Sequence, residues 1–233
     1  MTMTPYIFLS QNYLKMAQDI NGDPINALSL SENVPYTLTL FFADRYGQMT
    51  TRAVDTLILT DTNIVNMSVE YADGGGVYQP LLSVTGNTES TILVKATSAV
   101  NTNSLRVTIP NDGQNPASVT AKMGAYGFIC NLFALTDSTY EISANAGGYR
   151  LFSGEYIHYA DFKKWTAKLK INNLTQEQFD ALTAQADTGE MTLIPYQDLQ
   201  ASEIYECAVS REYGYTLNRK TQLFYLDLEF NEL

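Results

Sequence analysis

The chain has 233 residues and 25.9 kDa, 45% apolar and 17% charged, a globular composition long enough for one large domain or two small ones. Fourteen basic against 25 acidic side chains give a net charge of −11 and a pI near 4.4, which argues against a broad nucleic-acid or anionic-membrane surface. No stretch approaches the roughly 18 apolar residues of a membrane span, and Met1–Lys15 lacks the basic start of a signal peptide, so a soluble protein without a leader is expected.

Tyrosine is the compositional outlier, with 16 copies beside 10 phenylalanines, and both residue types favour strands. In chain order, strand patterns fall at Tyr36–Phe42, Val54–Leu59, Val65–Tyr71, Thr91–Ala96, Leu105–Ile109 and Val119–Met123. Val65, Met67, Val69 and Tyr71 alternate with polar neighbours, which puts the apolar set on one sheet face. Between these runs lie turn-forming clusters such as Thr60–Asn63, Asp73–Gly76 and Asn111–Pro116. Short strands with no helical period between them predict an antiparallel, jelly-roll-like β-sandwich over residues 1–131.

Residues 132–233 differ in character and form the second expected domain, a β-rich α+β unit. Trp165–Ile171 alternates, and then the sequence places its one convincing helix. Thr175 is a good N-cap with Gln178 as its capping-box partner, Leu174 and Phe179 stand at the hydrophobic-staple positions, and Gly189 closes the unit. Phe179, Leu182 and Ala186 share one face of that helix. Strands follow at Met191–Ile194, Ile204–Val209 and Leu223–Phe230, the last with Phe224, Leu226, Leu228 and Phe230 on one face.

Catalytic chemistry finds little purchase. His158 is the only histidine and sits in a strand-like run without nucleophile-elbow glycines, so it reads as a structural residue. Cys130 and Cys207 lie in no C-x-x-C motif and read as buried free thiols, and with one histidine they cannot supply a zinc site. The Asp and Asn of residues 60–63 and 111–113 read as turn chemistry rather than calcium ligands. Gly74–Gly76 lacks the P-loop lysine and reads as a hairpin. No enzyme, metal or cofactor is therefore expected. Two polar loops remain as binding candidates, residues 44–48 and 73–78, because an aromatic face beside fixed polar groups suits a sugar. Their candidate ligand residues are Tyr46, Asp73 and Tyr78, each also readable as an ordinary loop residue.

The run from Ala53 to Gly74, with Val69-Glu70-Tyr71-Ala72-Asp73-Gly74 at its end, and the strand Leu105-Arg106-Val107-Thr108-Ile109 resemble galactose-binding-like (discoidin-type) β-sandwiches. The chain departs from that pattern at Leu105 and Val107, where aromatics are common. In the second half, Trp165–Leu169, Asn173–Glu177, Ile194–Tyr196, Tyr205–Cys207 and Leu226–Leu233 resemble the C-terminal parts of tail proteins from long-tailed bacteriophages. Together these resemblances imply a minor or distal tail structural protein. It would reside in the virion, assemble in the host cytoplasm, contact other tail proteins and itself as a homo-oligomer, and perform no catalysis. The alternatives are a carbohydrate-binding module for host-surface glycans and a head-decoration or capsid-associated protein.

Overall fold

The computed structural model describes residues 4–25, 29–134, 138–150, 156–195 and 204–233. In chain order its strands are β1 (Thr4–Leu9), β2 (Ala17–Gln18), β3 (Ser29–Asn33), β4 (Tyr36–Phe42), β5 (Arg52–Thr60) and β6 (Met67–Ala72). Next come β7 (Tyr78–Val84), β8 (Ile92–Thr102), β9 (Ser104–Ile109), β10 (Ser118–Tyr126), β11 (Phe128–Ala134) and β12 (Thr139–Arg150). The chain continues with β13 (Tyr156–Leu174), helix α1 (Gln176–Thr188), β14 (Glu190–Pro195), β15 (Tyr205–Val209), β16 (Gly214–Asn218) and β17 (Leu223–Glu232). The protein is mainly β, with antiparallel sheets and a single described α-helix, as the alternation predicts.

Two compact units emerge. Leu9–Phe128 make up most of one, and Met1–Phe8, Ile129–Gln197 and Tyr205–Leu233 the other. The sequence places all of residues 1–131 in the first domain, whereas β1 up to Phe8 clusters with the second unit. The reason is burial: Tyr6 and Phe8 of β1 join a core that also holds Leu169, Leu228 and Phe230.

The first unit is a sandwich of a four-stranded sheet (β3-β10-β5-β8) and a five-stranded sheet (β2-β4-β9-β6-β7). One core joins their inner faces, with Leu57, Leu59, Val119 and Ala121 from the first sheet and Leu40, Phe42, Val69, Leu105 and Val107 from the second. Pairings Leu40↔Leu105 and Tyr71↔Leu105 bring the end of β4, the start of β9 and the end of β6 to one edge of the sandwich. That edge carries the candidate site.

The second unit closes on itself. Strands β13, β11, β1, β14, β15 and β17 follow edge to edge, and β17 returns to β13 through pairs such as Leu169↔Leu228 and Ala167↔Phe230. Closure pairs backbone groups that an open sheet would leave exposed. Helix α1 supplies Leu182 and Ala186 to the core, and Phe179 stacks on Phe224 at 4.3 Å. Its capping box is formed as the sequence predicts: Thr175 Oγ1 accepts from the Gln178 N–H at 3.2 Å, and the Thr175 N–H donates to Gln178 Oε1 at 3.0 Å. Beyond the closed part, β12 pairs with β13 from Thr139↔Lys168 to Arg150↔Tyr156, making a long two-stranded ribbon. Among the described residues β12 has no second neighbour.

Candidate functional site

The sandwich edge is built around a repeated turn. Asp19–Asp23, Asp44–Gln48 and Asp73–Val77 each begin with an aspartate and place a glycine three residues on. In each, the first N–H donates to the fifth carbonyl at 2.9 Å, and the glycine N–H donates to the aspartate carbonyl at 3.0–3.1 or 2.9 Å. One carboxylate oxygen then accepts the backbone N–H groups of the third and fifth residues, at 2.8–3.0 Å in all three copies. Gly22, Gly47 and Gly76 hold φ of 86, 77 and 79°, a region that costs an L-residue roughly 1–2 kcal/mol. Those amide hydrogens hold the carboxyls of Asp19, Asp44 and Asp73 below their ordinary range, with the N–H of the fifth residue the largest cause. The side chains therefore lock the loop tips locally, by their own turn chemistry.

Between the first and third copies of this turn opens a cleft of about 470 Å³. Such a volume falls in the range of roughly 300–1,000 Å³ that small-molecule sites occupy. Phe41, Ala72 and Tyr78 line it from the sheet, Ile20 from the turn after β2, Thr51 from just before β5, Asp73, Gly74 and Gly76 from the β6–β7 turn, Asn101 and Thr102 from the end of β8, and Asn103 from the β8–β9 link. The ring of Tyr78 is fixed from two directions. Its hydroxyl shares a hydrogen bond of 2.7 Å with Ser104 Oγ, and the Arg106 guanidinium lies 4.3 Å from the ring centroid. Arg106 is itself neutralised by Glu70, Nε to Oε2 at 2.7 Å, a bond that lowers the Glu70 carboxyl and raises Arg106.

Polar groups in the cleft fall into two kinds. Thr102 is spent on structure, its hydroxyl donating to Ala72 O and Ser104 O at 2.9 Å. Asn101 and Asn103 are exposed, and their side-chain amides have no partner among the described residues. Among the described residues, the second carboxylate oxygen of Asp73 meets only Gln79 Nε2, at 3.5 Å. An aromatic ring held rigid beside unspent amides and a carboxylate oxygen can take the apolar face and the hydroxyls of one small polyol.

Of the three sequence candidates, the structure brings Asp73 and Tyr78 into this one cleft and leaves Tyr46 outside its lining. Tyr46 stands exposed at the tip of the second turn, where the Arg45 guanidinium donates to its hydroxyl at 2.7 Å. Phe41, Asn101 and Asn103 are additions that the sequence reading did not single out. Asn101 lies at the end of β8 and Asn103 just beyond it, and their place beside Asp73 depends on the β9–β6 pairing.

The loop around Asn115 closes the opposite edge of the sandwich. There Asn115 Oδ1 accepts from the Val65 and Asn66 N–H groups at 2.9 and 3.1 Å, and its amide donates to Asn66 O and Pro110 O. Asp112 accepts from Gln114 N, Asn115 N and the Asn66 amide, so this loop spends its polar groups partly on its own backbone, as its composition predicts, and partly on the Val65–Asn66 segment. In the second unit Cys130 and Cys207 are buried and not bridged to each other, and burial pushes the Cys130 thiol up to about 12. His158 lies in β13 opposite Gly148, with its side chain outside the described ones. No group of three or more metal-ligating side chains occurs among the described residues, and no described helix is long and apolar enough to cross a membrane.

No family model and no curated protein matches the chain. Among solved structures it is similar to the family 32 carbohydrate-binding module from Streptococcus pneumoniae EndoD, at 13% identity and a TM-score of 0.36 over 47% of this chain and 86% of that one. It is also similar to the family 32 module from C. perfringens NanJ in complex with galactose, at 12% identity and a TM-score of 0.38 over 51% of this chain and 99% of that one. Nothing in the comparisons supports the tail-protein resemblance of the second half.

Proposed function

We propose that the sandwich unit is a non-catalytic carbohydrate-binding module whose site is the cleft around Tyr78. The observation that carries this reading is a ring locked by Ser104 and Arg106 beside the exposed amides of Asn101 and Asn103, which have no partner among the described residues. A sugar ring presents an apolar face and a rim of hydroxyls, and this arrangement meets both. Phe41 and Ile20 extend the apolar contact, while Asp73 faces the cleft with one oxygen free of the turn.

The test is a glycan array probed with the full chain, followed by calorimetric titration of any hit. Saturable binding that Tyr78→Ala lowers at least tenfold, with Tyr46→Ala unchanged and the sandwich still folded, supports the reading. No saturable binding at millimolar sugar overturns it.

A second reading has one observation of its own. The β12–β13 ribbon has an unpaired outer edge among the described residues, and such an edge is a template for pairing with another chain. This favours a role in protein–protein assembly, as in a structural component of a phage tail in the virion, with other tail proteins and copies of itself as partners. Mass photometry across concentration tests it: discrete oligomers or rings support assembly, and a monomer at every concentration counts against it. The two readings concern different units and can hold together.

A further inference from the structure

We propose that the cleft discriminates by charge, accepting neutral glycans and rejecting anionic ones, with Asp73 as the filter. The inference rests on the carbohydrate reading and narrows its ligand class.

Among the described residues, Asp73 is the only charged side chain lining the cleft. Arg106 and Arg52 lie outside the lining and are engaged by other groups, Arg52 in part by the Asp44 carboxylate. Arg106 is tied to Glu70 at 2.7 Å behind the Tyr78 ring, and Arg52, next to the lining residue Thr51, is laid over the Tyr13 ring at 5.4 Å. The turn that carries the lining residue Ile20 adds two more carboxylates, Asp19 and Asp23, in a protein of net charge −11. A sialylated, uronic or sulfated sugar would therefore place its anion near Asp73 with no cationic side chain in the described lining to offset it. At an effective dielectric between those of the protein surface and water, one such charge at about 7 Å weakens binding roughly tenfold at low ionic strength, and salt screens it.

The repeated turn supplies an internal control. Asn in place of Asp retains the acceptor oxygen that ties the loop, so Asp73→Asn removes the charge and keeps the turn. Asp44→Asn makes the same change in the second copy of the turn, outside the cleft lining.

The experiment uses the full-length chain on an array of matched oligosaccharides in neutral, carboxylated and sulfated forms, at about 20 and 500 mM salt. The expected result is a preference for the neutral form of roughly tenfold at low salt, reduced at high salt, reduced by Asp73→Asn and unchanged by Asp44→Asn. Equal binding of neutral and anionic forms overturns the charge filter and leaves the carbohydrate reading standing. A preference that Asp73→Asn does not change assigns selectivity elsewhere and also overturns it. Absence of binding to every form, neutral ones included, overturns both. The salt dependence of the unmodified chain provides a readout that needs no variant.

Discussion

The two units solve the same problem, burying a β-sheet face, by different means. In the sandwich, hairpin connections are set locally. One five-residue turn recurs at Asp19, Asp44 and Asp73, and each copy holds itself with a carboxylate and a glycine. In the other unit, closure depends on strands far apart in the chain: β1 from the N-terminus, and β17 from the C-terminus paired with both β13 and β15. Local turn chemistry can be damaged at one loop at a time. A closed sheet loses its edge pairing wherever one strand is removed.

Truncation should expose that contrast most strongly. Removing residues 224–233 deletes β17 with its buried Phe224, Leu226, Leu228 and Phe230. Cooperative folding of the second unit should be lost while amide exchange protection in the sandwich persists. Both cysteines lie in the core of the second unit, so thiol labelling reads its opening specifically: slow in the native protein and complete in the truncation. A truncated chain with protected thiols would break the comparison. Removing residues 1–8 should likewise unmask the thiols and spare the sandwich, although these residues adjoin the sandwich in sequence.

A single core substitution should come next. Phe8 is fully buried, with ring centroids 6.2 Å from Tyr6 and 6.1 Å from Phe230. Phe8→Ala should destabilise the second unit by about 3–5 kcal/mol in denaturant titration followed by thiol exposure. Turn damage should be smaller. Gly47→Ala places an L-residue at φ 77°, with its Cβ 3.3 Å from Gln18 Nε2, and should cost the sandwich about 1–2 kcal/mol by thermal melting. Thr175→Ala removes one half of the capping box of α1 and should cost about 1 kcal/mol in the second unit alone.

The smallest effect should be that of acid on the turns. The carboxyls of Asp19, Asp44 and Asp73 are depressed in the folded state, so the stability they contribute is present above the unfolded value of about 4. It is lost as pH falls through the lower folded value. The sandwich should melt at progressively lower temperature below about pH 4. A chain carrying Asn at all three positions should show a shallower dependence over that window, and an equal slope in both proteins would remove the turns from the account.

Much of this was legible in the residues. Phe224, Leu226, Leu228 and Phe230 alternate with polar neighbours and are buried in the structure, because a strand with one covered face must repeat every two residues. Thr175, Gln178 and Gly189 marked both ends of α1, because caps act within one turn of the chain. Other strands left fainter traces: β7 carries Pro80 and exposed residues, β12 is rich in small residues, and β16 is exposed along most of its length. Asp73 and Tyr78 stood out as loop candidates, whereas Phe41, Asn101 and Asn103 carry no local mark that joins them to the cleft.

The division is physical. Periodicity, capping and turn-forming side chains act over a few neighbouring residues, so the sequence by itself determined the mainly β class, the one helix and the chemistry of the turns. Which strands pair depends on burial shared between distant segments. Only the tertiary structure could carry β1 into the second unit, close β13 onto β17, and bring the turns at Asp19, Asp73 and Asn101–Asn103 around one cleft.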